Sequence, residues 1–578
     1  MAQTYAIRGI GSKGVSVDVP PSELGYEFFN YAENIYIHDL KVKNVPDVEL
    51  LIGGDHGNIL WFSYLYDETT REPVIVYVTR TGTTDTIHQI KAGVDTDISR
   101  VSPAYTDITP DPYARWNGFV QNGQVILTNG ANVPQYLALG ATDFVDMPGW
   151  NTAWSCKVIQ PFRGAWVALN INDSSADPEK ERQATVLRWS SPIADYGSPP
   201  ATWAELDEFD QPTGAGFNAL GETPGEIVTG KTLRDAFMIY KTDSVVRMDY
   251  TGNPDAPFSF RTVFEDTGAW GPHAVCSVRN EHFVVGQNDV YITDGFQKQS
   301  VIDGRVKDVF DKMVFSTTKA HDVMVVPHYG NEEIFVLIRT KNSNGSLTTQ
   351  VLCYAYKQDQ WFFRAFNESD AVSFDYITYA GTGALSLSAP VVFDRWDDPD
   401  QMTWDEGADV VTEQWDNSST ILSVSYIMFA IGGEFYTYGP YRNSTTGLNC
   451  VIHKHDMDFN QVAGTLSDKI KRVLRLYPVV DPESRGYILF KLWGHDRPGQ
   501  IVDEADKKWY LFDIEKDHKV DVTVSGRYIS MEISTSTTLL TDWNNYDFLN
   551  NPTLPVRNPD NVLALTGIDI DLVALQRR

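Results

Sequence analysis

Cysteine is scarce in this 578-residue chain, which has only Cys156, Cys276, Cys353 and Cys450. They lie far apart without Cys-x-x-Cys spacing, so the sequence favours buried, reduced thiols over a disulfide framework or a zinc site. The chain also lacks any run of 18 apolar residues, and its first residues lack the apolar core of a signal peptide. We therefore expect synthesis in the cytoplasm, without membrane insertion or secretion.

Basic residues are outnumbered, with 47 Lys and Arg against 77 Asp and Glu, which gives a formal net charge of −30. A surface of this sign repels phosphate backbones at physiological salt, so sequence-specific DNA binding is not expected. Solubility alone is an equally simple explanation of the acidity.

Helical periodicity is nearly absent, and short aromatic or β-branched clusters recur between Gly, Asn and Asp instead. Five of the seven spacings between successive clusters lie near the roughly 40–50-residue pitch of a four-stranded propeller blade. The central residues of these clusters are Trp61, Val125, Trp166, Phe237, Phe283, Phe335, Leu385 and Phe429. From about Cys450 the pattern changes to strict alternation of apolar and polar residues, which is typical of antiparallel strands.

These patterns predict an all-β protein: a β-propeller of about six to eight irregular blades with an additional antiparallel β-domain near the C-terminus. Stacked β-sandwiches are the alternative, but they need no common pitch. The predicted segments are an N-terminal arm with the first strands (1–50), the propeller (51–445) with an insertion near 190–225, a sandwich-like domain (446–545) and a closing strand (546–578).

Two glycine-rich motifs match nucleotide-binding patterns in letters only. Residues 225–232, GEIVTGKT, match a phosphate loop, but the motif needs a following helix and this one continues as two strands joined by a turn at Thr242, Asp243 and Ser244. GIGSKG, residues 9–14, matches a dinucleotide fingerprint, but Val15 to Val19 are expected to form a strand and Pro20-Pro21 forbids the required helix. We therefore predict no nucleotide cofactor.

Two further groups have more than one interpretation. His453 and His455 would share a strand face and could bind a metal with Asp456 or Asp458, although a solvated strand face explains them too, and we predict no metal. The acidic, tryptophan-containing segment 394–416 and the run 205–210 could supply glycosidase carboxylates, hold calcium or form solvated loops. The candidate acidic residues are Asp394, Asp397, Asp398, Asp400, Asp405, Glu406, Asp409, Glu205, Asp207, Glu208 and Asp210.

The stretch 8–39, RGIGSKGVSVDVPPSELGYEFFNYAENIYIHD, resembles the opening of the tail nozzle proteins of short-tailed bacteriophages. This family includes proteins called tail tubular protein B or DNA-stabilisation proteins. The matching residues are Gly9, Gly11, Gly14, Asp18, Pro21, Leu24, Asn34 and Ile35. Later stretches resemble the family in the same order, among them RWNGFVQNGQVILTNG, IDGRVKDVF, SGRYISMEIS and LTGIDIDLVALQRR, whereas the family's Asp-Gly after the early strand is blurred at 37–43.

The resemblance implies a structural virion protein without catalytic residues or cofactors. It implies a propeller-based subunit in a homo-hexameric ring at the distal end of the tail, which closes the DNA channel after packaging and passes genomic DNA during ejection. The implied partners are a tail adaptor or portal-proximal protein and tail fibre or tail needle proteins. The alternatives are a propeller glycan hydrolase acting on host surface polysaccharide and a phosphate-loop nucleotidase that depends on Lys231.

Overall fold

The computed structural model describes residues 3–575 except for 47, 67–72, 107, 109–114, 139, 176–181, 196, 254–255, 318–322, 342–346, 366–373, 383–424, 439–447, 461–468, 483 and 536–561. Over these residues the chain forms 39 strands, numbered β1–β39 along the sequence, one α-helix, α1 (Lys307–Thr317), and a short 3-10 turn (Glu504–Asp506). The predicted all-β class is confirmed. No described helix has the length and apolar character that a membrane crossing requires.

Five four-stranded antiparallel sheets follow one another along the chain, and in each of them consecutive strands pair. We call these sheets blades 1–5. Blade 1 has β6 (Asn58–Tyr66), β7 (Pro73–Thr81), β8 (Thr84–Lys91) and β9 (Val94–Asp97), and blade 2 has β10 (Asn117–Gln121), β11 (Gln124–Thr128), β12 (Gln135–Leu137) and β13 (Val145–Asp146). Blade 3 has β14 (Trp154–Phe162), β15 (Ala165–Asp173), β16 (Arg182–Trp189) and β17 (Gly216–Ala219). Blade 4 has β18 (Ile227–Leu233), β19 (Ala236–Lys241), β20 (Val245–Asn253) and β21 (Ala256–Phe264), and blade 5 has β22 (Val275–Val278), β23 (Glu281–Val285), β24 (Val290–Thr293) and β25 (Lys298–Ser300).

Two more blades complete a closed propeller. Blade 6 has β26 (Val323–His328), β27 (Glu333–Lys341), β28 (Leu347–Ala355) and β29 (Gln360–Arg364), and blade 7 has β30 (Phe374–Thr382), β31 (Ser425–Ile431), β32 (Glu434–Tyr438) and β5 (Glu49–Ile52). The first strand of each blade contacts the first strand of the next, and β30 contacts β6, so the described strands form a seven-bladed ring. Blade 7 takes its outermost strand from the N-terminal segment, with Tyr436 opposite Leu50.

The second strands of the blades explain the sequence pitch. β11 and β19 are buried along their whole length, because neighbouring blades cover both faces, and such strands appear in the sequence as continuous apolar runs. Six of the eight cluster residues lie in the second strand of a blade, and Trp61 lies in the first strand of blade 1, β6. The six second strands are β11, β15, β19, β23, β27 and β31. Leu385 lies outside the described residues.

The remaining strands form a β-sandwich. One sheet runs β3 (Ile35–His38), β4 (Lys41–Asn44), β39 (Ala564–Leu575), β34 (Ile470–Val480) and β37 (Val520–Gly526), with β1 (Gln3–Arg8) also paired to β39. The other runs β2 (Tyr31–Glu33), β33 (Val451–Met457), β38 (Tyr528–Ser534), β35 (Tyr487–His495) and β36 (Lys508–Asp513). In β37 buried and exposed residues alternate strictly, as the sequence predicts for a strand with one solvated face.

The sandwich and the propeller share hydrogen bonds and a core. β2 pairs in parallel with β29 through Glu33 and Phe363, so blade 6 and one sandwich sheet form a single nine-stranded sheet. One hydrophobic cluster includes Phe283 of blade 5, Leu352 of blade 6 and Ile533 of the sandwich. The sandwich and the propeller therefore share a continuous β-sheet and a hydrophobic core.

Both ends of the described chain lie in the sandwich, because β1 pairs along β39. Within the predicted N-terminal segment 1–50, β1 to β4 belong to the sandwich and β5 begins in blade 7. The predicted insertion near 190–225 contains β17, the last strand of blade 3, and the predicted closing strand corresponds to β39, which pairs with β1, β4 and β34. The strand predicted for 15–19 is wrong, because Val15 makes only an isolated bridge to Phe29.

Candidate functional site

A cavity of about 350 Å³ lies inside the ring of first strands, on the propeller axis. Every one of blades 1–6 contributes to its wall from its first strand or the segment next to it. Both polar and apolar residues line it, and the polar ones include Ser63, Asn117, Gln160, Thr229, Lys231 and Ser277. The axial cavity is the natural place to look for a ligand site in this fold.

The axial cavity has few side chains that could take part in catalysis. Burial lowers the pKa of Lys231, and burial raises the pKa of the neighbouring Cys276 thiol to about 12, so the thiol stays protonated and unreactive. None of the described residues that line the cavity is Asp or Glu. A glycosidase mechanism at this position would lack its two carboxylates.

Lys231 is the lysine of the phosphate-loop match, and the structure explains why the match does not form a phosphate site. Gly225 has a φ of 85°, but the chain then enters β18 and not a helix. β18 pairs with β19, with Gly230 opposite Ile239 and Lys231 opposite Met238. The backbone N–H groups of this segment are therefore part of a β-sheet and do not converge on a phosphate. The predicted turn at Thr242 to Ser244 is confirmed between β19 and β20.

The residues that carry the N-terminal resemblance are packing and hydrogen-bonding joints. Gly11 has a φ of 70°, and a Cβ there would lie 1.8 Å from the Phe29 ring, so only glycine fits. Gly14 packs against Trp361, and the Val15 amide donates to the Trp361 carbonyl. These contacts attach the N-terminal segment to blade 6.

Asp18 and Asn34 make two further joints. The Asp18 carboxylate accepts hydrogen bonds from the backbone N–H groups of Lys307 and Asp308, at 3.1 and 3.0 Å, and so caps the start of α1 from a distant part of the chain. Asn34 is buried, and its side chain bonds the backbone at Ala365 and Asn449.

The acidic candidates divide into two groups. Asp394, Asp397, Asp398, Asp400, Asp405, Glu406 and Asp409 lie outside the described residues. Glu205, Asp207, Glu208 and Asp210 are exposed in the loop between β16 and β17. That loop is held by its own turn, in which the Asp207 carboxylate accepts the amides of Phe209 and Gln211.

His453 and His455 share one face of β33, as predicted, but their acidic neighbour is Glu532 and not Asp456 or Asp458. Burial lowers the pKa of His453 to about 4; the Glu532 carboxylate opposes this shift, and the charges of His455, Lys491 and Lys507 add to it. Burial opposes ionisation of Glu532, but His455, His453 and Lys491 outweigh it and lower its pKa to about 2. At neutral pH the cluster therefore has a neutral imidazole at His453 and a carboxylate at Glu532.

Asp456 has a different partner. Its φ of 55° lies at an irregularity in the pairing of β33 with β38, and its carboxylate lies 3.0 Å from Nε2 of the buried His495. Sequence reasoning missed Glu532 and His495, because a contact between strands depends on which strands pair and in which register. Alternation alone identifies the face of a strand and not its neighbour.

Comparison with known proteins gives no family. No protein-family model matches the chain, and no curated protein matches it significantly. Among the solved structures that match is the computationally designed protein Ika8, which is 8% identical, covers 70% of this chain and 95% of its own, and superposes with a TM-score of 0.34. A TM-score this low carries no argument about function.

Proposed function

We propose that the chain is a structural subunit of a bacteriophage tail, a nozzle protein that assembles into a ring of six. In this proposal the ring closes the DNA channel after packaging and opens to pass the genome. It is assembled in the host cytoplasm, resides in the virion and has no catalytic role. The observation that carries the proposal is the ordered resemblance to tail nozzle proteins along nearly the whole chain.

The positions of the resembling residues support the proposal. Gly11, Gly14, Asp18 and Asn34 hold the sandwich, blade 6 and α1 together and do not line the axial cavity. Residues that a structural family shares are expected at such joints, whereas an enzyme family shares residues that meet its substrate.

The charge of the chain gives the proposal a physical mechanism. A channel wall that carries carboxylates repels passing phosphates and offers DNA few binding sites, whereas a basic wall would bind DNA with strong salt dependence. We propose that the exposed loop 205–210, or some of the acidic residues of 394–416, which lie outside the described residues, face this channel.

Electron microscopy of the purified assembly tests the ring. We expect particles with sixfold symmetry and a central opening, and a monomer at all concentrations would contradict the proposal. Such a ring forms when one surface of each subunit binds a different surface of the next subunit, so that the contacts close in a circle.

Charge reversal tests the channel. Replacing Glu205, Asp207, Glu208 and Asp210 with Lys should slow DNA ejection in low salt, with the delay reduced in high salt because screening weakens contacts to phosphate. The matched control replaces four exposed acidic residues of the sandwich, Asp496, Asp503, Glu515 and Asp517, and should leave ejection unchanged. Equal ejection rates for both variants would rule out the channel position of the loop.

The hydrolase alternative has its own assay. Incubation of the protein with capsular polysaccharide or lipopolysaccharide should release no oligosaccharide, and release would replace the structural proposal with an enzymatic one. Nucleotide binding predicts that ATP raises the melting temperature in a manner dependent on Lys231, and we expect no such shift.

A further inference from the structure

Four side chains form a row across the outer face of the sandwich sheet, and a fifth lies beside it. In the strand register Tyr31 of β2 lies opposite His453 of β33, which lies opposite Glu532 of β38, which lies opposite Lys491 of β35. His455 is two residues beyond His453 and therefore faces the same side. The apolar core lies on the other face, where Ile452 and Ile533 are fully buried.

The two imidazoles pack against aromatic neighbours. The rings of His453 and His455 are stacked with centroids 5.3 Å apart, the Tyr31 ring lies 5.1 Å from His453, and the Trp493 ring lies 5.2 Å from His455. The His455 Nε2 atom is buried without a hydrogen-bond partner and lies 3.8 Å from Glu532 Oε1. The 3.8 Å between these two atoms is longer than a hydrogen bond but shorter than two zinc–ligand bonds of about 2.0–2.2 Å each, so a metal ion can be bound by both.

We propose that His453, His455 and Glu532 bind a divalent transition-metal ion, with zinc as the best match. One ligand atom from each of the three lies within 4.8 Å of the others. Zinc bonds of about 2.0–2.2 Å place tetrahedral ligand atoms roughly 3.3 Å apart, which these side chains reach by small rotations. Two imidazoles and a carboxylate suit zinc, whereas magnesium and calcium require oxygen ligands.

The surroundings of Glu532 fit this role. Its Oε1 atom is on the side of His455, while its Oε2 atom lies 3.6 Å from Lys491 Nζ. Lys491 is also paired with Glu504 of the 3-10 turn, so its charge is shared between two carboxylates. One oxygen of Glu532 is thereby available to the metal while the other is held in place, as is common for metal-bound carboxylates.

The site has three protein ligands, and the side chains of His455 and Glu532 are 30% and 20% exposed. Three ligands leave a fourth tetrahedral position for water or for a group of another molecule. The site lies in the sandwich, away from the axial cavity, so its existence does not depend on ring formation.

The test uses the full chain, stripped with a chelator and titrated with zinc, cobalt and magnesium chlorides by calorimetry. We expect one zinc or cobalt ion per chain, no magnesium binding, and an intense visible absorption of bound cobalt that reports tetrahedral coordination. His455→Gln and Glu532→Gln should each weaken zinc binding by more than about 100-fold, since loss of outer partners alone costs roughly 10–100-fold.

The matched control is His38→Gln, which alters a surface histidine whose Nδ1 lies 3.1 Å from the carboxylate of Asp39. It should bind zinc as the wild type does. The proposal is overturned if the wild type binds no stoichiometric zinc or cobalt, if Glu532→Gln binds as tightly as the wild type, or if His38→Gln loses binding to the same extent. The cobalt spectrum of the wild type decides the matter even where a variant does not fold.

Discussion

Asn34 offers a measurement of how strongly the sandwich and blade 6 are joined. Its φ is 57°, a left-handed conformation that asparagine tolerates better than most residues. Its Nδ2 donates to the carbonyls of Ala365 and Asn449, at 2.8 and 3.0 Å, and its Oδ1 accepts from the Ala365 amide at 2.8 Å. The residue is 4% exposed, so water cannot replace these bonds.

The loss on truncation follows from these contacts. Asn34→Gly keeps the backbone conformation but removes three hydrogen bonds worth about 0.5–1.5 kcal/mol each, so we expect a loss of roughly 2–4 kcal/mol. Asn34→Ala removes the same bonds but, unlike Asn34→Gly, keeps a Cβ in the left-handed region, which makes it about 1 kcal/mol less stable than the glycine variant. Alanine should therefore be worse than glycine here, the reverse of their order in a helix or strand.

Native-state hydrogen exchange is the appropriate assay, because a chain of this size does not unfold in one step. We expect amides of 41–45, 361–365 and 449–453 to lose protection in both variants, and amides of β14 and β15 in blade 3 to be unchanged. Protection that falls equally in blade 3, or falls by less than about 1 kcal/mol at the joint, would refute a local joint at Asn34.

Three further predictions use other contacts. Burial lowers the pKa of Lys231, so the charged lysine destabilises the folded state near pH 7. Lys231→Met should therefore melt at a higher temperature than the wild type at pH 7. The two melting temperatures should converge as the pH rises toward about 10.4, where the lysine of the unfolded chain also loses its proton. Burial lowers the pKa of His495, but the Asp456 carboxylate outweighs burial and the pKa is raised on balance. The ion pair therefore stabilises the folded protein below about pH 6.5, and this contribution is lost as the pH rises. His495→Gln should lower the melting temperature more at pH 5.5 than at pH 8, and the reverse order would contradict the pairing. Asp18→Ala should cost about 0.5–2 kcal/mol and speed exchange in α1, while Asp18→Asn should cost less; unchanged exchange in α1 would exclude the cap.

The strands were predictable because their signals are local. The strands β34, β37 and β38 follow from the alternation of apolar and polar residues after Cys450. The blade pitch was visible because second strands are buried on both faces and so form continuous apolar clusters.

Long-range pairing was not predictable from those signals. Nothing in residues 49–52 indicates that they complete blade 7, and nothing in 31–33 indicates a parallel partner in blade 6. The partners of His453 and Asp456 were missed for the same reason, since the candidate ligands nearest in sequence are not those nearest in space. The strand predicted at 15–19 failed because Val17 and Asp18 both donate their amides to the Arg305 carbonyl instead of to a neighbouring strand.

The pairing of β5 with β32 joins segments that are synthesised at very different times. Gly54 and Glu434, which meet beside this pair, are 380 residues apart in the chain, and Thr4 and Asp571 of β1 and β39 are 567 apart. At about 5–20 residues per second, a ribosome needs roughly 20–75 s to deliver the partner of β5. Throughout that interval the nascent polypeptide carries β5 without its partner strand, and the pairing of β1 with β39 must wait longer still, until β39 has been made.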